Sequence, residues 1–128
     1  MKNGELPVAL AALRTLSEKK MPVKTGLKIR TMLRSLSHLA EDVEAERKKL
    51  IDALSVKGED GQPVVVQLDN GLGRYDFGNN LGEFERCYNE LMNLDASGRP
   101  SPLTVAELGE IEIEATVLIG LGDLLEYE

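Results

Sequence analysis

The fold of this chain is decided by residues Ile29–Leu54, IRTMLRSLSHLAEDVEAERKKLIDAL. Every first heptad position of this stretch is apolar, and those positions are Ile29, Leu36, Val43 and Leu50. No proline lies between Thr25 and Leu54, and the only glycine there is Gly26. The pattern therefore predicts one amphipathic helix of about 28 residues, roughly 42 Å long.

A helix of this length has consequences for the rest of the molecule. A compact domain of this size is about 36 Å across, so we expect the helix to outrun its domain. Either its end projects or a partner covers its exposed stripe. Glu46 and Arg47 interrupt the stripe, which argues against a long autonomous coiled coil. An ordinary amphipathic helix packed on its own domain remains the alternative.

Length and composition predict one soluble globular domain. The chain has 128 residues, 42% of them hydrophobic and 29% charged, with a formal net charge of −7. Its single cysteine excludes an internal disulfide framework and is typical of a reducing compartment. The start of the chain lacks the features of a signal peptide, and no apolar run is long enough to cross a membrane. We therefore expect a protein of a reducing compartment, and not one secreted by a signal peptide.

The predicted fold class is α+β, mainly α. Helical periodicity from Pro7 to about Lys20 predicts a first helix, and Met21-Pro22 ends it. The short connection implies an antiparallel helical hairpin with the long helix. We divide the single domain into a helical hairpin at 1–56, a β-hairpin at 57–79, a helix at 80–95, and a linker, short strand and C-terminal helix at 96–128.

Asn70-Gly71 carries the strongest hairpin signal, because this dipeptide favours a two-residue type I′ turn. The strands flanking that turn are Pro63–Leu68 and Leu72–Phe77. Registering them on the turn pairs Val66 with Tyr75 on an apolar face. The same register pairs Val64 with Phe77 and sets Gln67 against Arg74 on a polar face. A sheet lying on helices has this arrangement.

The sequence of the C-terminal half predicts five further features. A third helix runs from Leu81 to about Leu94, with Asn79 or Asn80 as its cap and an apolar buried face. A linker follows at 95–102. Thr104 and Glu107 form a capping box for one helical turn ended by Gly109. Alternation over Glu110–Glu114 predicts a strand, and Ala115–Tyr127 a last helix in which Gly120 and Gly122 mark close packing.

Charge is divided unevenly along the chain. Residues 1–50 carry eleven Lys and Arg against six Asp and Glu, a net of +5, whereas residues 51–128 have a net of −12. The basic cluster lies between Arg14 and Arg34, and it includes Lys19, Lys24, Lys28, Arg30 and Arg34. It can meet phosphates, the acidic half of its own chain, or that of another copy. The acidic pI and the scarcity of aromatic residues disfavour nucleic acid, and charge complementarity between copies favours head-to-tail assembly.

Groups suited to catalysis or metal binding are sparse. His38 lies on the polar side of the long helix and has no partner suited to a metal site or a triad. Cys87 lies among apolar residues of the third helix, which favours a buried and inert thiol. Glu110, Glu112 and Glu114 could attract a cation, but a solvated strand edge explains them equally well. We predict no enzyme, no cofactor and no metal.

Several segments together resemble a known group of proteins. They are Leu13 to Lys24 with its Met21-Pro22, the run Glu46–Ile51, the turn Glu59-Asp60-Gly61, and the ending Leu103–Ile113 with Leu121–Leu125. This order is similar to small tailed-bacteriophage proteins of unknown function, often encoded among virion or tail genes. The resemblance implies no catalytic residue. It implies a protein of the host cytoplasm during assembly, or of the virion. The chain departs from the group by the inserted hairpin from Val64 to Phe77.

Three functions follow as hypotheses. The first is a phage structural or assembly protein that associates with itself or docks on other virion proteins. The second is a small acidic inhibitor or regulator that binds a host protein, imitating nucleic acid with residues 107–128. The third, direct DNA or RNA binding, is the least favoured of these. The predicted interaction residues are Val43, Arg47, Leu50, Leu54, Lys24, Lys28, Arg30, Arg34, Glu110, Glu112 and Glu114.

Overall fold

The computed structural model describes residues 1–96 and 101–126. It confirms an α+β fold that is mainly α. In chain order the helices are α1 (Leu6–Ser17), α2 (Val23–Leu54), α3 (Leu81–Asn93), α4 (Val105–Leu108) and α5 (Ala115–Leu121). The strands are β1 (Val65–Gln67), β2 (Gly73–Tyr75), β3 (Leu103–Thr104) and β4 (Leu125–Glu126). Short 3₁₀ turns precede α1 and α3 and follow α5.

The chain divides into two compact units. Unit 1 comprises Met1–Glu41 and Leu94–Glu128, and unit 2 comprises Asp42–Asn93. The division falls within α2, so each unit contains part of the helix that the heptad pattern predicted. The single-domain assignment stays a prediction. No helix in the described part of the chain is both long and apolar enough to cross a bilayer.

The first two helices lie near their predicted positions in the sequence. Pro7 lies in the first turn of α1, where its missing N–H costs nothing. Lys19 N–H donates to the Leu16 carbonyl as the chain leaves α1, and α2 begins directly after Pro22. The long helix therefore starts earlier than predicted and contains 32 residues, about 48 Å.

The core of unit 1 lies along the inner face of α1. Leu13 and Leu16 of α1 are fully buried, as are Ile29 and Leu36 of α2. The closest helix partner of α1 is α5. Gly120 allows this approach, because a Cβ atom there would lie 2.9 Å from the Ala12 Cβ. The predicted role of Gly120 in close packing is confirmed.

The C-terminal helix is shorter than predicted. It ends at Leu121, because Gly122 adopts φ 50° and turns the chain into a 3₁₀ segment and then β4. Gly122 therefore ends the helix, and no atom would contact a Cβ added there. The strand β4 pairs in parallel with β3, joining Leu103 to Leu125. Both of those leucines are buried.

The structure confirms the capping box and corrects the strand after it. The Thr104 side chain accepts from the Glu107 N–H, and Glu107 accepts in return from the Thr104 N–H. Gly109 ends the turn with φ 58°. The strand predicted at Glu110–Glu114 is wrong, because the chain there forms no ladder and Ile111 N–H donates back to the Leu108 carbonyl.

The first two residues of the predicted linker pair with the start of the chain. Lys2 forms a β-bridge with Asp95, and Ala96 N–H donates to the Met1 carbonyl at 2.8 Å. Ala96 is buried. Residues 97–100 of the predicted linker lie outside the described part of the chain.

Unit 2 contains the β-hairpin, and its register corrects the prediction. The ladder pairs Val65 with Tyr75 and Val66 with Arg74, one residue away from the predicted pairs. The loop has three residues, because Leu68 N–H donates to the Leu72 carbonyl at 2.7 Å. The strand pairing is therefore set by this longer loop.

The conformation of Asn70 explains the longer loop. In the described part of the chain no residue other than glycine has a positive φ, so Asn70 cannot form the type I′ turn. Its side-chain oxygen instead accepts from the Leu72 N–H. A one-residue shift exchanges the faces of a strand. The predicted separation into one apolar and one polar face is therefore wrong.

The predicted third helix is present in unit 2 as α3, but its apolar face is not covered. No residue of α3 is buried, and Leu81 is exposed. Phe84 stacks on Phe77 with ring centroids 4.0 Å apart, which anchors the helix to the hairpin end. The Asn80 side chain does not cap α3 but donates to the Leu54 carbonyl at the end of α2.

Candidate interaction surfaces

Unit 2 leaves most of its apolar surface uncovered. All of its residues are described, and its only buried apolar side chains are Ile51 and Phe77. Leu72 of the hairpin is 64% exposed and Val65 is 50% exposed. Unit 2 therefore presents apolar surface of the kind that marks protein interaction sites.

A groove of about 430 Å³ runs between α2 and the hairpin of unit 2. Its apolar residues include Ile51, Val65 and Tyr75. Charged residues of both signs line its α2 side, and they are Glu44, Arg47, Lys48 and Asp52. The predicted interaction residue Arg47 therefore lies in a groove, where its guanidinium also pairs with Glu44 at 2.9 Å.

The other interaction residues predicted on α2 in unit 2 do not line this groove. Val43, Leu50 and Leu54 are half-buried within unit 2. The groove contains Val65 and Tyr75, which were not among the interaction residues predicted from the sequence. The register error explains this, because the predicted register placed these two side chains on opposite faces of the hairpin.

Part of the basic cluster is paired within the chain. The Lys28 Nζ donates to the Glu107 carboxylate at 2.6 Å and to the Pro102 carbonyl at 2.9 Å. Hydrogen bonding from Lys28 lowers the pKa of Glu107 below its ordinary value. Lys19 pairs with Glu114 at 3.1 Å. The pKa of Glu114 is also lowered, first by its own backbone N–H and then by Lys19.

The remaining predicted cations are available to a partner. Lys24, Arg30 and Arg34 are exposed, and none of them forms an ion pair within residues 1–96 and 101–126. Arg30 lines a groove of about 380 Å³ in unit 1. Val23 and Leu27 line the same groove, and the heptad analysis missed both because it began at Ile29.

The acidic residues selected from the sequence divide in the same way. Glu114 is paired with Lys19, as described above. Glu110 and Glu112 are exposed, and they make no ion pair with any described residue. They lie in the irregular segment between α4 and α5, not on a strand edge.

The histidine and the cysteine considered for catalysis or metal binding lie on different helices, α2 and α3. His38 is exposed, and its Nδ1 lies 3.7 Å from the Glu41 carboxylate. Cys87 is half-buried, and partial burial raises the pKa of its thiol. A raised pKa leaves little reactive thiolate at neutral pH. Among the described residues, no three His, Cys, Asp or Glu side chains gather closely enough to hold a metal ion.

Comparisons with known protein families, with curated proteins and with solved structures found no match to this chain.

Proposed function

We propose that this chain is a non-enzymatic structural or assembly protein of a tailed bacteriophage, acting by self-association or by docking on other virion proteins. The observation that carries the interaction role is the uncovered apolar surface of unit 2. Two apolar side chains are buried there, while Val65 and Leu72 face solvent. The resemblance to small tailed-bacteriophage proteins supports the phage context.

Physical chemistry favours a partner for this surface. Each Å² of apolar surface removed from water contributes about 25 cal/mol. Side chains as exposed as those of the hairpin therefore gain stability when another protein covers them. The groove beside α2 adds charges of both signs at its edge, which provide specificity and orientation more than affinity.

The acidic-inhibitor alternative has less support. It requires a free negative surface over residues 107–128, but Lys28 neutralises Glu107 and Lys19 neutralises Glu114. The same two lysines are not available for direct nucleic-acid binding, because they already pair with glutamates of the chain. Both alternatives therefore rank below the assembly proposal.

The proposal is tested by binding and mass measurements on one set of variants. Light scattering gives the mass of the purified protein, and co-sedimentation measures its binding to the structural proteins of the encoding phage. We expect the double variant V65T/L72S to weaken association or binding. The matched control is Ile119→Thr, which changes an exposed apolar residue of unit 1.

The outcomes discriminate between the hypotheses. A strict monomer that binds no virion protein would contradict the proposal. Capture of a single host enzyme, weakened by salt and by charge reversal at Glu110, Glu112 and Glu114, would favour the acidic inhibitor instead. Equal effects of V65T/L72S and Ile119→Thr on association and binding would contradict the role proposed for the unit 2 surface.

A further inference from the structure

The first turns of α2 have two contrasting faces. Ile29, Met32 and Leu36 are buried in the core of unit 1. The opposite face carries residues at spacings of i, i+4, i+7 and i+11, which align along a helix. We call this set the outward stripe, and it consists of Val23, Leu27, Arg30 and Arg34.

The outward stripe is unusual because its first two residues are apolar. Val23 is 79% exposed and Leu27 is 58% exposed. Both line the 380 Å³ groove together with Met21, Leu33 and Arg30, and we call it the basic groove. Exposed apolar residues beside guanidinium groups suit a partner that brings both apolar contact and carboxylates.

The same chain contains a segment of that chemistry. The acidic segment, Glu110-Ile111-Glu112, follows α4 directly. Its two carboxylates are exposed and lack an ion pair among the described residues. Ile111 between them is half-buried, and Val105 of α4 is exposed nearby in sequence.

Cations of the basic cluster and acids of the C-terminal region already pair inside one chain. Lys28 binds Glu107, and Lys19 binds Glu114. Among the described cations, Arg30 and Arg34 remain unpaired. Among the described acids, Glu110 and Glu112 remain unpaired. The unpaired groups are therefore complementary in sign.

One chain cannot bring these unpaired groups together in this fold. Glu107, three residues before the acidic segment, is held by Thr25 and Lys28 of α2. Thr25 and Lys28 lie on a different side of the helix from Arg30 and Arg34. The acidic segment and the basic groove therefore belong to different sides of α2.

We propose that the basic groove of one copy receives the acidic segment of a second copy, so that copies join head to tail. The contact pairs Arg30 and Arg34 with Glu110 and Glu112 and covers the exposed Leu27. A head-to-tail contact is heterologous, so its repetition builds a ring or a filament and not a closed two-fold dimer. This inference rests on the self-association part of the proposed function.

Complementary charge reversal provides the test. We would prepare R30E/R34E and E110K/E112K and measure the mass of each by light scattering, at a concentration where the wild type associates. Each variant alone brings like charges together at the interface, so we expect association to weaken by at least about a hundredfold. An equimolar mixture restores opposite charges at every contact. We expect it to associate beyond a dimer.

The controls separate this inference from folding and from the proposed function. The variant K49E/R86E makes the same charge change as R30E/R34E, but in unit 2, and should associate as the wild type does. Circular dichroism checks that every variant is folded. Normal association of either reversed variant alone, a mixture that stays monomeric, or a mixture that stops at a dimer would overturn the inference.

A wild type that stays monomeric while binding virion proteins would also overturn the inference, yet it would leave the proposed function in place. Weak association of K49E/R86E would overturn it as well, because the effect would then belong to net charge and not to the groove.

Raised salt should weaken the wild-type assembly, since the Debye length falls to about 3 Å at 1 M.

Discussion

Units 1 and 2 share the helix α2 but differ in how they bury apolar residues. In unit 1, the α2 residues Ile29 and Leu36 are fully buried in a core that includes Leu13 of α1. In unit 2, the stripe residues Val43 and Leu50 are only half-buried. The same heptad pattern therefore leads to a closed core in one unit and an open surface in the other. A stripe predicts an apolar face, but it does not predict what covers that face.

The largest difference is expected from two leucines of the same helix. Leu36→Ala removes a fully buried side chain of unit 1 and should lower the free energy of unfolding by about 2–5 kcal/mol. Leu54→Ala, at a half-buried position of unit 2, should cost about 1 kcal/mol. Urea denaturation followed by circular dichroism measures both. Equal costs would show that unit 2 has a core as closed as that of unit 1.

A second pair makes the same substitution in each unit. Gly120→Ala places a Cβ 2.9 Å from the Ala12 Cβ in unit 1, so it should destabilise the protein by about 1–3 kcal/mol. Gly82→Ala meets no atom within 4 Å on α3. It should stabilise the protein by about 0.5 kcal/mol through helix propensity. Thermal unfolding gives the two signs, and a stabilising Gly120→Ala would refute the close approach of α1 and α5.

The smallest difference concerns two lysines. Lys28→Met removes the hydrogen bonds to Glu107 and Pro102 in unit 1 and should cost about 1 kcal/mol at neutral pH. Lys49→Met removes an exposed pair with Glu46 in unit 2 and should cost about 0.3 kcal/mol.

The Lys28 effect should also depend on pH. Lys28 lowers the pKa of Glu107 in the folded state. The stabilisation is therefore complete above the ordinary glutamate pKa of about 4.3 and is lost as the pH falls through the lower folded value. Urea denaturation of wild type and Lys28→Met at neutral and acidic pH measures this. The difference should shrink in acid to the part that the Pro102 hydrogen bond contributes. A difference of the same size at both pH values would contradict the ion pair.

Much of the fold could be predicted where a local signal and the packing agree. The heptad stripe predicted α2. The capping box of Thr104 and Glu107 predicted α4, and this capping box depends on no distant contact. Pro22 marked the start of α2. Each of these features depends on neighbours in sequence, which a pattern can report.

The errors occur where a local signal competes with another local signal or with distant pairing. Asn70-Gly71 favours a type I′ turn, but the Asn70 side chain accepts from the Leu72 N–H and a three-residue loop forms. Alternation over Glu110–Glu114 favours a strand, yet this stretch joins no ladder with any described residue, whereas β3 pairs with β4. Strand pairing depends on distant residues, so alternation alone could not locate it.

The candidate surfaces were predicted in part. Composition identified the basic cluster, but only geometry shows that Lys28 is used internally while Arg30 borders a groove. Val23 and Leu27 could have been found by extending the helical spacing backwards from Arg30 to Pro22. Val65 and Tyr75 could not have been found in this way, because their shared face depends on the register of the hairpin.

Hydrogen exchange measured by mass spectrometry on the dilute chain tests the central claim most directly. We expect slow exchange for amides of α1 and α5 and clearly faster exchange for the hairpin and α3, which lack a closed core. We also expect the hairpin and α3 to become protected when a virion protein binds unit 2. Unit 2 amides that exchange as slowly as those of α1 in the dilute chain, with no change on binding, would contradict the open surface of unit 2.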